Sequence, residues 1–267
     1  MSLSNCFSPI IADDIVSDEK ATENNGAMYC SLGTVCDASG SSFVSDNNSV
    51  VQVAVHGPRA FQKGNVNLAT LDCDVRYAPF VKFPSYSTIP YDFNKGLALS
   101  ESIASSGQTK QAIEKLISEI LKESILGMIC TKKYPNMLIS VHATLLSSSG
   151  NIGQDLATVI TASSVALADA SIEMMDMVAA STVTLQIPAN EKSKPTVCKG
   201  ITKGEYGNCS FLTVSSRCNA PEVTQMWSEG RMQVDGLFSL LQEACQMNSL
   251  KKTQIEGILL EKLQCAT

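Results

Sequence analysis

The stretch ALADASIEMMDMV, residues 166–178, joins a predicted helix to a predicted strand and decides how the middle of the chain folds. Before it, apolar and small side chains recur every three or four residues, the spacing of a helix with one buried face. They are Leu156, Val159, Ile160, Ser163, Leu167 and Ala170. After it, alternate residues from Met177 to Ile187 are apolar or small, which predicts a strand. Because the helix is rich in Ala and Ser, we expect it to pack closely against a sheet.

One charged residue of this junction, Asp169, lies near the C-terminal end of the predicted helix. A carboxylate there opposes the helix macrodipole. We therefore expect hydrogen bonds from neighbouring backbone amides to compensate the charge, and a role in the fold rather than in ligand binding.

Towards the N-terminus the sequence predicts a β-hairpin, then a strand, a helix and another strand. Asp46-Asn47-Asn48 is the predicted hairpin turn, because Asn and Asp tolerate left-handed backbone conformations. The hairpin is expected to end at Gly57-Pro58, since proline interrupts a strand. The next predicted elements are a strand from Leu71 to Tyr77, a helix from about Thr109 to Gly127, and a strand from Met137 to Leu145.

Towards the C-terminus a strand at Phe211–Val214 and two helices are predicted. The first helix buries Val234, Leu237, Phe238, Leu241 and Cys245, and the second buries Ile255, Leu259 and Leu263. The order of elements predicts an α/β fold of the mixed α+β kind, with helices packed on a mixed sheet. Residues 1–26 are predicted to form a flexible N-terminal arm, and residues 27–267 a single domain.

The overall composition excludes several classes of protein. No apolar run approaches the roughly 20 residues that cross a bilayer. The N-terminus lacks the basic start and apolar stretch of a secretory signal, which predicts a location in the cytosol or nucleus. The net charge is −6 and the pI is about 5.0. Because affinity for RNA comes largely from Lys and Arg at phosphates, partners are expected to help with any RNA binding.

Few side chains suit metal binding or histidine catalysis. The ten cysteines lack the spacing of a zinc site and are expected to be small buried hydrophobes. The two histidines, His56 and His142, lie in or beside strand patterns, where a structural role is expected. No metal or other cofactor is predicted.

Three blocks of sequence resemble, in order, ribonuclease PH and its relatives in the hexameric ring of the RNA exosome. They are GSSFVSDNNSVVQVAVHGPR at Gly40–Arg59, LDCDVRYAPF at Leu71–Phe80, and ITASSVALADASIEMMDMVAAS at Ile160–Ser181. The resemblance extends from about Leu32 to Leu263. It implies a ribonuclease PH-like fold and one of two roles, because members of the family are either phosphorolytic enzymes or architectural subunits.

The resemblance also implies where an active site would lie, and most of the charges expected there are missing. Active members bind phosphate with an arginine in a Ser/Thr-Arg pair that aligns here with Asp155-Leu156. No arginine occurs between Arg76 and Arg217. The family's acidic cluster aligns with TVCKGITKGEYG at residues 196–207, and only Lys110 stands where active members carry arginine pairs. The loop SSSGNIGQ, residues 147–154, could offer backbone amides to a phosphate, but Asp155 would repel the anion.

We therefore predict no catalytic residues and a structural role in the exosome core ring, supporting 3′-to-5′ RNA processing and decay in the nucleus, nucleolus and cytoplasm. The expected partners are other ribonuclease PH-like subunits in a hetero-hexameric ring, cap subunits with RNA-binding domains, and RNA in the channel. Two alternatives stay open. One is a phosphate-dependent 3′-to-5′ exoribonuclease that borrows arginines from a neighbour, and the other is a different ring position or a lone binding module.

Four cations are the candidate contacts to RNA or its phosphate backbone, because the family places such residues in loops that face the channel. They are Arg59, Lys63, Arg76 and Lys110. The alternative for each of them is an ordinary solvated charge or an interface salt bridge.

Overall fold

The computed structural model describes residues 28–61, 67–81, 107–186, 196–199, 209–220, 222–229 and 234–266. Within these ranges the chain forms nine strands and three α-helices. The strands are β1 (Tyr29–Leu32), β2 (Gly40–Asp46), β3 (Ser49–Ala60), β4 (Thr70–Tyr77), β5 (Met137–Ser147), β6 (Val178–Gln186), β7 (Thr196–Lys199), β8 (Cys209–Arg217) and β9 (Val223–Glu229). The helices are α1 (Gly107–Leu126), α2 (Ile152–Asp169) and α3 (Val234–Ala266).

The first sheet is mixed and has the order β1-β2-β3-β5-β4. Antiparallel ladders join β1 to β2, β2 to β3 and β3 to β5, whereas β4 and β5 run parallel. Helix α1 lies between β4 and β5 in the chain, as a parallel pair requires a crossover. The predicted mixed sheet with helices packed on it is confirmed.

The second sheet is antiparallel in the order β7-β6-β8-β9. Helix α2 lies between the two sheets and contacts β2 and β3 on one side and β6 and β8 on the other. Its residues from Ile152 to Leu167 are all buried, which explains why this stretch is apolar or small on every face apart from Gln154 and Asp155. Helix α3 covers the other face of β6 and β8, where the Ser181 hydroxyl donates to the Ala244 carbonyl.

The predicted hairpin is confirmed, but its second strand is longer than expected. Asn47 and Asn48 have φ angles of 45° and 70°, the left-handed conformation of a two-residue hairpin turn. Strand β3 then continues through Gly57-Pro58 to Ala60, so the predicted end at this dipeptide is wrong. The ladder with β5 shifts register between His56 and Arg59, and this bulge accommodates the proline, which lacks an N–H.

The C-terminal region forms one helix of 33 residues, and the prediction of two helices is wrong. The polar stretch between the two predicted helices includes Asn248 and Lys251, which are both buried. The Asn248 side-chain amide donates to the Val214 carbonyl, and the Lys251 ammonium lies 2.5 Å from Asp46. These polar side chains face inward, so the helix keeps its buried face where the apolar pattern stops.

The C-terminal end of α2 lies directly on the start of β2. Gly40 approaches Ala166 and Ala170 so closely that a Cβ atom at residue 40 would lie 2.2 Å from the Ala170 nitrogen. The Ser41 amide donates to Asp169 Oδ2 at 2.9 Å, and Lys262 of α3 pairs with Asp169 Oδ1. A backbone amide therefore compensates Asp169 as expected, but this amide belongs to β2 and not to the helix junction, and Lys262 of α3 adds an ion pair.

Candidate functional site

The corner before α2 is the part of the chain where the family resemblance would place bound phosphate. It consists of the end of β5, the turn at Ser148–Gly150 and the first turns of α2. Asn151 caps the helix, and its side chain accepts a hydrogen bond from the Gly153 amide at 2.7 Å. The N-terminus of a helix beside a polar loop can bind an anion only if the side chains that point into the corner leave space for it and carry no negative charge.

Asp155 fills this corner from within. It is completely buried, and one of its oxygens accepts a hydrogen bond from the Ser49 hydroxyl at 2.6 Å. Its other oxygen accepts from the Tyr77 hydroxyl at 3.0 Å and from the Ser148 hydroxyl. The Ser149 amide donates a further bond at 3.3 Å. The donors that could cradle a phosphate are therefore bound to a carboxylate of the chain itself.

Burial sets the electrostatics of this corner. Loss of water raises the pKa of Asp155 above its usual range, and the hydrogen bonds from Ser148, Ser49 and Tyr77 partly oppose the rise. Burial, followed by the charge of Asp155, raises the pKa of the Tyr77 phenol well above its usual value. The neighbouring Leu156, which aligns with the family's arginine, is buried in the core and supplies no positive charge. The corner repels a second anion.

Helix α1 closes the β4 edge beside this corner. The Val75 amide donates to the Ser118 hydroxyl at 3.0 Å, and the Tyr77 amide donates to the Glu114 carboxylate at 2.9 Å. The Lys110 ammonium donates to the Tyr77 carbonyl at 2.9 Å and lies 3.9 Å from Glu114. Side chains of one helix thus occupy the hydrogen-bonding groups that an incoming strand would use.

The structure separates the candidate RNA contacts that it describes. Arg76 lies in β4 and Lys110 in the first turns of α1, at the end of β5 that carries Thr144 and Leu145. Arg59 pairs with Leu138 at the opposite end of β5. None of these three lies in a loop, so the predicted loop placement is wrong for them. Lys63 lies outside the described residues.

Among these three cations, Arg59 and Arg76 are exposed and Lys110 is half-buried. The Arg76 guanidinium is held by Asp74, with 2.8 Å between Arg76 Nε and Asp74 Oδ2. Lys110 is held by the Tyr77 carbonyl and Glu114. Arg59 lines a shallow polar pocket of about 630 Å³, together with Asp37, Ser39, His56, Gly57, Pro58 and His142.

Sequence reasoning missed the two histidines as members of this pocket. His56 and His142 lie on neighbouring strands of the first sheet, with ring centroids 5.7 Å apart. Their positions alternate with the buried Val55 and Val141, so both side chains point away from the core. The alternation is visible in the sequence, but the register that brings the two strands together is not.

The described residues also bear on metals, cysteines and membranes. Nowhere in the described ranges do three His, Cys, Asp or Glu side chains group so as to hold a metal ion. Of the six cysteines whose side chains the structure describes, Cys30 is buried and Cys36 is exposed, so the expected burial does not hold for all of them. None of the described helices combines the length and apolar character needed to cross a bilayer.

The family model described as "3′ exoribonuclease family, domain 1" (RNase PH) matches residues 26–173. That range is more than half of the chain and includes both the hairpin and the corner at Asp155. The chain belongs to the RNase PH family.

Relatives within the RNase PH family agree in sequence over most or half of the chain. The exosome complex component mtr3 of Schizosaccharomyces pombe is 27% identical over 88% of this chain and 83% of its own length. An Arabidopsis thaliana protein named exosome complex component RRP41-like is 30% identical over 57% of this chain. The aligned region spans half the length of that Arabidopsis protein.

Solved structures of similar fold extend the likeness beyond the matched domain. Rice Rrp46 superposes with a TM-score of 0.61 at 16% identity, covering 86% of this chain and 92% of the rice chain. A chain of an archaeal exosome core gives a TM-score of 0.59 at 14% identity, covering 86% of each chain. These likenesses establish the RNase PH-like fold for nearly the whole chain.

Two replacements of Asp155 distinguish the contribution of its charge to stability from that of its hydrogen bonds. In D155A the buried hydroxyls of Ser49 and Tyr77 and the half-buried hydroxyl of Ser148 lose their acceptor, and we expect a loss of about 2–4 kcal/mol in the free energy of unfolding. D155N keeps the shape, removes the charge and is expected to cost less. The measurement is urea unfolding of both variants and the wild type.

The raised pKa of Asp155 predicts how the difference in stability between the wild type and D155N changes with pH. Between the ordinary pKa and the raised one, the folded protein binds the proton more readily than the unfolded chain. Relative to D155N, the wild type should therefore gain stability as the pH falls through the folded pKa and lose it as the pH rises. A difference that changes in the opposite direction would contradict the buried, desolvated position.

Proposed function

We propose that this RNase PH family member is a non-catalytic subunit of the exosome core ring, close to the mtr3 type (messenger RNA transport regulator three). In this role it supports 3′-to-5′ RNA processing and decay by organising the ring and its channel. Its proposed partners are other RNase PH-like subunits, cap subunits with RNA-binding domains, and RNA within the assembled channel. The proposal is supported by similarity to the fission yeast exosome component over 88% of the chain.

The single observation that carries the non-catalytic part is the position of Asp155. Phosphorolysis needs a site that binds an inorganic phosphate beside the phosphate of the RNA, and two anions require cations between them. Asp155 places a buried carboxylate with its own donors at that corner. The nearest candidate cation, Lys110, donates to the Tyr77 carbonyl instead.

Several further parts of the proposal follow the exosome assignment. We propose that the protein acts in the nucleus, nucleolus and cytoplasm, where RNA decay and processing take place. We also propose that residues 1–26 form an arm distinct from a domain at residues 27–267, since the family match begins at residue 26. Arg59, Lys63, Arg76 and Lys110 remain proposed RNA contacts. Arg59 is the strongest of those described, because it lines the polar pocket, whereas the equally exposed Arg76 is paired with Asp74.

The test is affinity purification of the tagged full chain, with its partners identified by mass spectrometry. The complex is then assayed on single-stranded RNA with and without inorganic phosphate. We expect RNase PH-like and cap subunits in the eluate, and no phosphate-dependent release of nucleoside diphosphates that depends on this chain. Recovery of the chain alone would favour a lone binding module.

A matched pair of variants assigns any phosphorolysis to the correct subunit. K110A removes the cation nearest the corner, and K122A removes an exposed cation of the same helix away from it. Complexes with either variant are expected to release nucleoside diphosphates at the wild-type rate, whatever that rate is. Loss of release in K110A but not in K122A would establish the alternative, a phosphate-dependent exoribonuclease.

A further inference from the structure

Both histidines of the chain stand side by side on the accessible face of the first sheet. His56 belongs to β3 and His142 to β5, and their rings are tilted by 58° with centroids 5.7 Å apart. Arg59 follows His56 across the Gly57-Pro58 bulge and lines the same pocket. The Ser39 hydroxyl lies at this pocket and accepts a hydrogen bond from the Gly57 amide at 3.2 Å, while its own proton can be donated.

We propose that this pocket, built by His56, His142 and Arg59, binds a phosphate group and takes up protons as it does so. The ligand is either a phosphodiester of RNA or free inorganic phosphate. The RNA form rests on the proposed place in the exosome ring, whereas the free-phosphate form does not. The pocket lies beside residues 138–142 of β5, whereas the Asp155 corner follows the end of this strand at Ser147, so it is separate from the site that the family resemblance implies.

The donors of the pocket match the geometry of a phosphate. A guanidinium presents parallel N–H groups that pair with two phosphate oxygens, and a protonated imidazole donates from both of its nitrogens. A pocket of about 630 Å³ has room for a phosphate with attached sugar, and its open shape admits a chain that continues beyond the site. Three potential positive charges face one carboxylate in the pocket, that of Asp37.

Four charged groups surround the histidines, and they come from three places in the chain. Asp37 lies in the connection between β1 and β2, Arg59 lies on β3, and Asp74 and Arg76 lie on β4. Asp74 Oδ2 is 3.9 Å from His142 Nδ1 and 2.8 Å from Arg76 Nε, so the arginine shares the charge of this carboxylate. The Arg76 guanidinium therefore partly neutralises the carboxylate that lies beside His142.

Without an anion, His56 resists protonation. Partial loss of water lowers the pKa of His56, the positive charges of Arg59 and His142 lower it further, and Asp37 opposes them. A bound phosphate reverses the balance, because it pairs with the same positive charges. By linkage, each histidine that gains a proton on binding raises the affinity by up to about tenfold per pH unit of acidification.

The test uses the full chain labelled with ¹³C at the histidine Cε1 positions. With only two histidines in the sequence, the spectrum contains two resonances, which H56Q assigns. Both resonances are titrated between pH 5 and 8, because histidine changes charge in roughly this range. The titration is done without ligand, with inorganic phosphate, and with an RNA pentanucleotide that lacks terminal phosphates. A phosphodiester has no ionisation in this range, whereas a phosphate monoester ionises near a pKa of about 6, so the RNA arm reports the histidines alone.

We expect the midpoint of His56 to rise in at least one ligand arm, with affinity increasing as the pH falls. R59Q should weaken binding at least several-fold, whereas K122Q, which removes one exposed positive charge outside the pocket, should leave it unchanged. A response to inorganic phosphate alone identifies free phosphate as the ligand, and a response to the pentanucleotide identifies the RNA backbone.

The proposal is overturned if neither midpoint moves in either arm, or if R59Q and K122Q lose affinity equally. The wild-type titration needs no substitution, so it can contradict the proposal even if a variant fails to fold. Membership of the exosome ring is measured independently by co-purification. A chain that joins the ring but shows no midpoint shift therefore rejects the phosphate pocket alone.

Discussion

G40A is expected to destabilise the protein by about 3 kcal/mol or more, or to prevent folding. A Cβ atom at this position would lie 2.2 Å from the Ala170 nitrogen, 2.5 Å from its Cα atom and 2.7 Å from the Ala166 carbonyl oxygen. All three are backbone atoms of the last turn of α2, which is held between two sheets and cannot shift as a side chain could. Extra atoms in a packed core typically cost about 1–3 kcal/mol, and a backbone contact belongs at the upper end.

The matched control for G40A is G257A. Gly257 is exposed on α3, and a Cβ atom there meets nothing within 4 Å. Since alanine is the better helix former, G257A should stabilise the protein by about 0.5–1 kcal/mol. Urea unfolding of the two variants gives both values. A G40A protein as stable as the wild type would show that β2 and α2 are further apart in solution.

K251M is the second substitution with a large expected effect, a loss of about 3–5 kcal/mol. Lys251 and Asp46 are both buried, with Lys251 Nζ 2.5 Å from Asp46 Oδ2. The ammonium also donates to the Ala180 carbonyl at 2.8 Å, and the Gln154 amide donates to the same Asp46 oxygen at 3.2 Å. Removing the lysine leaves a desolvated carboxylate with one neutral donor, and a single buried charge is strongly destabilising.

A double-mutant cycle tests the origin of that loss. D46N/K251M removes both charges and should recover a large part of the stability lost in K251M, since the stranded charge is the main cost. K252M is the neighbouring control, because Lys252 pairs with Glu256 at 3.7 Å and both side chains are only half-buried, so a change within about 0.5 kcal/mol is expected. A double variant less stable than K251M would mean that the lysine acts through packing rather than charge.

Local chemistry was enough to predict several elements from the sequence. The turn at Asn47-Asn48 and the helix-to-strand junction after Ala166 depend on backbone preference and on the alternation of a few side chains. The absence of the phosphate-binding arginine was likewise visible in the sequence, because the family's Ser/Thr-Arg pair aligns with Asp155-Leu156.

Long-range contacts explain the features that the sequence did not reveal. The single helix α3 was predicted as two because Asn248 and Lys251 are polar, although their partners in β8 and β2 place them on the buried face. The strand through Gly57-Pro58 needed the bulge against β5. The histidine pocket needed the register between β3 and β5, which no local pattern contains.

The two lysines of α3 that reach back into the domain also affect how the protein can be made. Asp46 and Asp169 are synthesised long before their partners Lys251 and Lys262, which lie on α3. While the ribosome is still synthesising α3, both carboxylates lack their ion pairs, and β6 and β8 lack their covering helix. The first sheet and α2 therefore remain only partly stabilised until α3 has been synthesised, so the nascent protein reaches its native state only after that helix can dock.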